Sequence, residues 1–287
     1  MKLVMTIIAG LGLLSVASTA SIDPTCMLKE MIRTDERIRL NGYPAESHTV
    51  TTSDGYILNL FRIPYSNKLQ NQNAQRPAIL LQHGLFSNSD CWLSGGPDNA
   101  LAYLLADAGF DVWMGNARGN IYSRQNAIIS INSPKFWHFD WHEIGAIDIP
   151  TMIDYILEQT GESKIHYAGH SQGTTVYFVM MSEHSGRFCQ MDYGTKKNNE
   201  IYGQPTPPDY NLENILAPTY FYSSQNDGLC NPKDVDTLVS KTIHLAGDYR
   251  VPDQTFNHLD FIVANHMREM VNDPVMQNIF KHEDSLY

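Results

Sequence analysis

Long apolar runs are missing from this 287-residue chain everywhere except at its start. Beyond Val16 no stretch reaches membrane-spanning length, so no later segment reads as a transmembrane helix. Basic residues are few: 20 Lys and Arg stand against 31 Asp and Glu, a formal charge of −11. That balance argues against nucleic acid as a partner and gives no electrostatic pull toward anionic membranes. Cysteine is also sparse. Cys26, Cys91, Cys189 and Cys230 allow three complete pairings, too few for a scaffold built on disulfides. There is no Asn-x-Ser/Thr glycan acceptor and no internal repeat. Histidines are scattered, with neither H-E-x-x-H nor paired C-x-x-C, so no metal is expected. The glycines of Gly115-Asn116-Ala117-Arg118-Gly119-Asn120 are not in dinucleotide-binding order, and no cofactor is expected. His138, His142 and Glu143 sit among Trp137, Asp140 and Trp141, which reads as a packed surface segment rather than a metal site.

The first 20 residues have the build of a secretory signal peptide. Lys2 supplies the charge, Leu3 to Val16 the apolar core, and Ala17-Ser18-Thr19-Ala20 the small residues for cleavage. Export to the extracellular space is therefore expected, with delivery to the lysosome as the other luminal route. Residues 21–287 suit a single domain.

Strand and helix signals alternate along that domain. Ser47 to Thr52 and Tyr56 to Ile63 read as strands joined at Asp54-Gly55. Further strands are expected at Pro77 to Gln82, Phe110 to Met114, Lys164 to Ala168, Ala217 to Ser223 and Thr242 to Leu245. Helices are expected at Pro97 to Ala108, Ile144 to Gln159 and Leu259 to Val271, the second beginning late or bending at Pro150. This order predicts an α/β fold, a mainly parallel sheet covered on both faces.

The pentapeptide Gly169-His170-Ser171-Gln172-Gly173 fits G-x-S-x-G, between the strand-like Lys164 to Ala168 and a helix-compatible apolar stretch from Thr174 to Met181. A serine in such a strand-to-helix turn presents its hydroxyl above the sheet as a nucleophile. It needs a base, and the base needs an orienting carboxylate. Asp227 follows a late strand and is the candidate acid, although Asn226-Asp227-Gly228 is also good turn sequence. Asp234 and Asp236 are weaker, since Asn231-Pro232 reads as a helix cap. His258 lies past the last strand and is the candidate base; His244 and His266 read as structural. The backbone N–H groups of Gln172, next to the nucleophile, and of Leu85, after His83-Gly84, are the candidate oxyanion donors.

These motifs together resemble the acid lipases, the family of gastric and lysosomal acid lipase. The resemblance takes in Asn41-Gly42-Tyr43-Pro44, Thr52 to Leu58, His83-Gly84-Leu85, Asn116 to Asn120, Phe136 to Gly145, His166 to Thr175, Asn226-Asp227-Gly228-Leu229 and Phe256 to Phe261. It implies an alpha/beta-hydrolase fold, hydrolysis of neutral lipid esters at a lipid–water interface, and Ser171, Asp227 and His258 as the triad. The chain also departs from the family. Members carry a helical cap and one more core strand between the elbow helix and the acid strand. Here Ser171 and Asp227 are 56 positions apart, and residues 185–216 are polar and rich in Pro and Gly, with no segment fit for a buried strand. The cap and one central strand are therefore expected to be absent, as if a block were skipped between about 183 and 187. That leaves either an open slot beside the elbow strand or an acid strand displaced by one strand spacing, which endangers the Asp227–His258 contact. The first expectation is thus a serine ester hydrolase. The alternatives are a truncated, weak or inactive homologue and, more remotely, a serine peptidase of the same fold.

Overall fold

The computed structural model describes residues 2–8, 32–181 and 189–284. The expected cleavage site at Ala20, Cys26 and the seam at 183–187 lie outside the described residues.

Among the described residues, nine strands form one mixed sheet. They are β1 (Lys2–Ile8), β2 (Glu46–Thr51), β3 (Tyr56–Ile63), β4 (Ala78–Gln82), β5 (Asp111–Gly115), β6 (Gln125–Asn126), β7 (Lys164–His170), β8 (Thr219–Ser223) and β9 (Leu245–Arg250). The order across the sheet is β2-β3-β5-β4-β7-β1-β8-β9, with β6 paired to β3. From β5 to β9 all neighbours run parallel. The expectation of a mainly parallel sheet gives way to a mixed one at the other edge, where β2, β3 and β6 pair antiparallel. There the short turn Thr52-Ser53-Asp54-Gly55, closed by the Gly55 N–H on the Thr52 carbonyl, sends the chain straight back, which a parallel pairing cannot do.

Alternate residues of β4 and β5 feed the two cores. Ile79 and Leu81 of β4 and Val112 and Met114 of β5 pack on one face. Leu80 and Trp113 point into the opposite core, with Tyr167 of β7 and Phe221 of β8. A side-chain period of two turns a continuous apolar run into two buried faces. The helix Ile149–Thr160 lays Ile149, Met152, Ile153 and Ile156 on one of them. It does begin late: a π-helical turn at Ile144–Asp148 precedes it, and Pro150 falls in its first turn, where a missing N–H does no harm.

Other expectations fail. The strand expected at Thr242 to Leu245 forms at Leu245–Arg250 instead. The chain's end is not one helix from Leu259: a short helix Asp260–Val263 stops at Ala264, which turns extended, and the last helix is Asp273–Asp284. And the position beside β7 is not empty. Residues 189–216 supply no strand to the sheet and carry the helix Thr195–Tyr202 instead. Lys2–Ile8, from the segment read as a signal peptide, runs parallel to β7 from Lys2↔Lys164 to Ile8↔His170, and its other edge pairs with β8 from Met5↔Thr219 to Ile8↔Tyr222. So β8 stays two strand spacings from β7 and does not slide.

Candidate active site

Ser171 sits between β7 and the helix Gln172–Met181, with φ at +55° and the residue 6% exposed. A left-handed backbone at a non-glycine residue is strained and needs a tight surround. Three glycines allow that surround. A methyl group at Gly173 would lie 2.2 Å from the Gln82 carbonyl oxygen, one at Gly169 would lie 2.6 Å from Gly173, and one at Gly84 would lie 2.7 Å from Ser171 Cβ. The turn is pinned by Tyr167, whose hydroxyl donates to the Gly173 carbonyl at 2.6 Å, and by the Thr174 N–H, which donates to the Ser171 carbonyl at 2.8 Å.

Asp227 follows β8, and its carboxylate is divided between two tasks. Oδ1 accepts from the N–H groups of Leu229 at 2.9 Å and Cys230 at 2.8 Å, which fixes the carboxylate plane. Oδ2 lies 3.0 Å from His258 Nδ1. Both side chains are buried. The contact expected to be endangered is therefore intact, because β1 keeps the acid strand in its place.

His170, next to Ser171, packs against His258 with ring centroids 5.0 Å apart and the planes tilted by 42°, and its Nε2 donates to the His258 backbone carbonyl at 3.1 Å. Burial pushes the His170 imidazole down to about 4, with the neighbouring His258 adding to the effect. Leu85 follows Gly84 at the end of β4, and Gln172 opens the helix after Ser171. Among the described residues neither of their N–H groups donates to a backbone carbonyl. Both residues line the same cleft of about 430 Å³, together with Phe86, Arg118, Trp137 and Phe139.

A serine in a left-handed strand-to-helix turn and a carboxylate–imidazole pair thus lie at the strand ends, with Leu85 and Gln172 beside the serine turn. The family described as a partial alpha/beta-hydrolase lipase region matches residues 34–96, and the alpha/beta hydrolase fold family matches residues 77–191. Lipase 1 of Drosophila melanogaster is 33% identical, the alignment covering 86% of this chain and 79% of the relative. The chain belongs to the lipase/esterase superfamily of alpha/beta hydrolases. Gastric triacylglycerol lipase of Bos taurus is 31% identical over 78% of this chain and 85% of its own length. A Pyrococcus furiosus esterase structure overlays with a TM-score of 0.58 at 14% identity, covering 85% of this chain and 95% of that one. That likeness is one of fold.

Other residues of this hydrolase have a role that their sequence did not disclose. Asn116-Ala117-Arg118-Gly119-Asn120, set aside above as a poor dinucleotide loop, is a clamp. Arg118 donates through Nε and Nη2 to Asp148 at 2.9 and 2.6 Å and through Nη1 to Asp54 at 2.6 Å. Arg118 and Asp148 are fully buried. Asn116 and Asn120 tie the same loop to Ser89 and His83. In the aromatic segment, His142 Nδ1 pairs with the Tyr210 hydroxyl at 2.9 Å and Glu143 accepts from the Asp140 N–H at 2.8 Å, so these two side chains have structural partners. Among the described residues, Cys91 and Cys230 are free thiols. Burial pushes the thiols of Cys91 and Cys230 up to about 12, which keeps them protonated and poor nucleophiles.

Proposed function

We propose that the chain is a serine ester hydrolase of the acid-lipase kind, cleaving neutral lipid esters such as triacylglycerol or cholesteryl ester through an acyl-enzyme. The observation that carries this reading is the 3.0 Å contact of His258 Nδ1 with Asp227 Oδ2, at the same end of the sheet as Ser171 in its left-handed turn. Ser171 Oγ attacks the ester carbonyl carbon while its proton passes to His258 Nε2. The oxyanion accepts from the Leu85 and Gln172 amides. The C–O bond to the alcohol then breaks as His258 returns the proton to the leaving oxygen. Water attacks the acyl-serine by the same route, giving up a proton to His258, which restores it to Ser171 as the fatty acid leaves. Asp227 holds the imidazole in the required tautomer throughout.

The lipid substrate is supported by the gastric triacylglycerol lipase relatives. No helix among the described residues is long and apolar enough to cross a membrane, which is compatible with action from the aqueous side of a lipid interface. Loss of the cap is supported by alignment length: the match to Lipase 1 runs over 356 residues, more than the 287 of this chain, so the relative carries segments with no counterpart here. Purified chain is expected to turn over short- and long-chain esters, and Ser171→Ala to abolish that turnover. Turnover unchanged in that variant would sink the mechanism.

A second reading, a weak or inactive form, is favoured by one observation. The strand that holds β8 in place, Lys2–Ile8, falls within the 20 residues expected to be removed on secretion. Secretion with cleavage and a complete sheet exclude one another. Labelling by a fluorophosphonate of the full chain but not of residues 21–287 would support this reading for the exported form.

A further inference from the structure

We propose that His83 is a positioning residue that aims the Leu85 N–H into the oxyanion site; this rests on the serine-hydrolase reading above. His83 is 4% exposed at the end of β4. Its Nε2 receives two donors, the Ala117 N–H at 3.1 Å and Asn120 Nδ2 at 3.0 Å. The orientation of Asn120 is set by its own neighbours, because its Oδ1 accepts from the N–H groups of Tyr122 at 2.9 Å and Ser123 at 3.1 Å. Nε2 must therefore be an acceptor, and the single proton of the neutral ring sits on Nδ1. That proton is donated to the Gly84 carbonyl at 2.7 Å.

The Gly84 carbonyl and the Leu85 N–H belong to one trans peptide, so they point in opposite directions in one plane. A donor held on the carbonyl side fixes where the amide points on the other. The need is evident one residue on. The Ser87 N–H closes a turn onto the same Gly84 carbonyl at 3.3 Å, and Phe86 occupies the turn's third position at φ +58°. Glycine is the usual residue there, and a bulky aromatic is strained. Phe86 is also 86% exposed, so packing does not hold the turn. His83, anchored through Ala117 and Asn120 on the Arg118 loop, supplies the hold. Burial pushes its imidazole down to about 4, which keeps the accepting nitrogen free of a second proton above that pH.

The two faces of the ring separate this role from mere anchoring. Asparagine at position 83 can place an amide N–H where Nδ1 stands; glutamine can place an oxygen where Nε2 stands; phenylalanine supplies neither. With p-nitrophenyl butyrate, His83→Asn should keep kcat within about 3-fold, whereas His83→Gln and His83→Phe should lose roughly 10- to 100-fold, less than deletion of an oxyanion donor itself. KM should move by no more than about 2-fold, and affinity for a trifluoromethyl ketone, whose adduct places an oxyanion in the site, should fall in step with kcat/KM. Activity kept in His83→Gln and lost in His83→Asn would make His83 an anchor of the 117–120 loop and overturn the proposal. A readout on the unaltered chain stands apart from turnover and from the folding of variants: nitrogen-15 NMR of the histidines should find His83 protonated on Nδ1, and an Nε2–H tautomer would overturn the proposal. Failure of the underlying reading looks different, since Ser171→Ala would then retain ester turnover while the His83 tautomer remained as stated.

Discussion

His170 Nε2 donates to the backbone carbonyl of His258 at 3.1 Å, tying the residue beside the nucleophile to the residue that would deprotonate it. The bond spans 88 positions of sequence and links the elbow to the loop after β9. Because a carbonyl only accepts, the proton must be on Nε2. The ring is neutral in its folded setting, and the same holds for His83 with the proton on the other nitrogen.

Acid stability follows from these two rings. Burial lowers both imidazoles from an ordinary 6.5 to about 4. Between those values the unfolded chain binds protons that the folded chain refuses. Stability is therefore complete above about pH 6.5 and declines as pH falls toward 4, by a few kcal/mol for each ring taken alone. Glu283 acts in the same direction at lower pH: hydrogen-bonded to His166 at 2.6 Å, its carboxyl is held down at about 2, so its contribution is lost below the ordinary carboxylate range. Melting temperature measured from pH 7.5 to 4 should fall, and the slope should be shallower in His83→Asn. A flat profile would show that neither ring resists protonation.

Asp227→Asn should fold and fail to turn over. Oδ1 is committed to the N–H groups of Leu229 and Cys230, so the new amide nitrogen must occupy the Oδ2 position against His258 Nδ1. Two donors cannot face each other, and the imidazole is driven to the tautomer that cannot accept the Ser171 proton. A loss of about 10⁴-fold in kcat is expected, with little change in melting temperature. Retention of more than a tenth of the activity would remove Asp227 from the mechanism.

Removal of residues 1–20 should open the sheet. Lys2–Ile8 is paired along both edges, so its loss leaves strand-edge N–H and C=O groups of β7 and β8 without partners. Each such buried group costs about 1–3 kcal/mol when unsatisfied, enough in sum to rival a domain's whole stability. Hydrogen exchange at Lys164–His170 and Thr219–Ser223 is the direct measurement. Equal protection in the full chain and in residues 21–287 would mean that β1 contributes nothing to the sheet.

Arg118→Met should destabilise strongly without touching the reacting atoms. It deprives the fully buried Asp148 of its partner and leaves Asp54 at the surface half-paired. Breaking a buried pair from one side costs roughly 3–5 kcal/mol. Urea unfolding should report that loss, and the double variant Arg118→Met, Asp148→Leu should recover much of it. A single variant as stable as the parent would show that the pair is not under electrostatic constraint.

What could be read along the chain was whatever is encoded locally. The elbow announces itself in five residues between a strand and a helix, and the order Ser171, Asp227, His258 places each candidate in a strand-end loop. The alternation of strands and helices predicts the layered sheet, because side-chain period and turn residues are properties of short segments. The apolar spacing predicts one helix from Leu259 to Val271 because it continues past Ala264, where the backbone in fact turns extended.

Only the folded chain decided the rest. Nothing in residues 2–8 says that they lie between β7 and β8; an apolar run suits a leader and a buried strand equally, and the choice depends on a vacancy more than 150 residues away. A side chain at Gly173 would run into the carbonyl oxygen of Gln82, which belongs to β4. The proton positions on His83 and His170 depend on partners 34 and 88 positions distant. A sequence specifies which groups can donate and accept, but which ones meet is settled by long-range packing, and at this site that packing selects the tautomers.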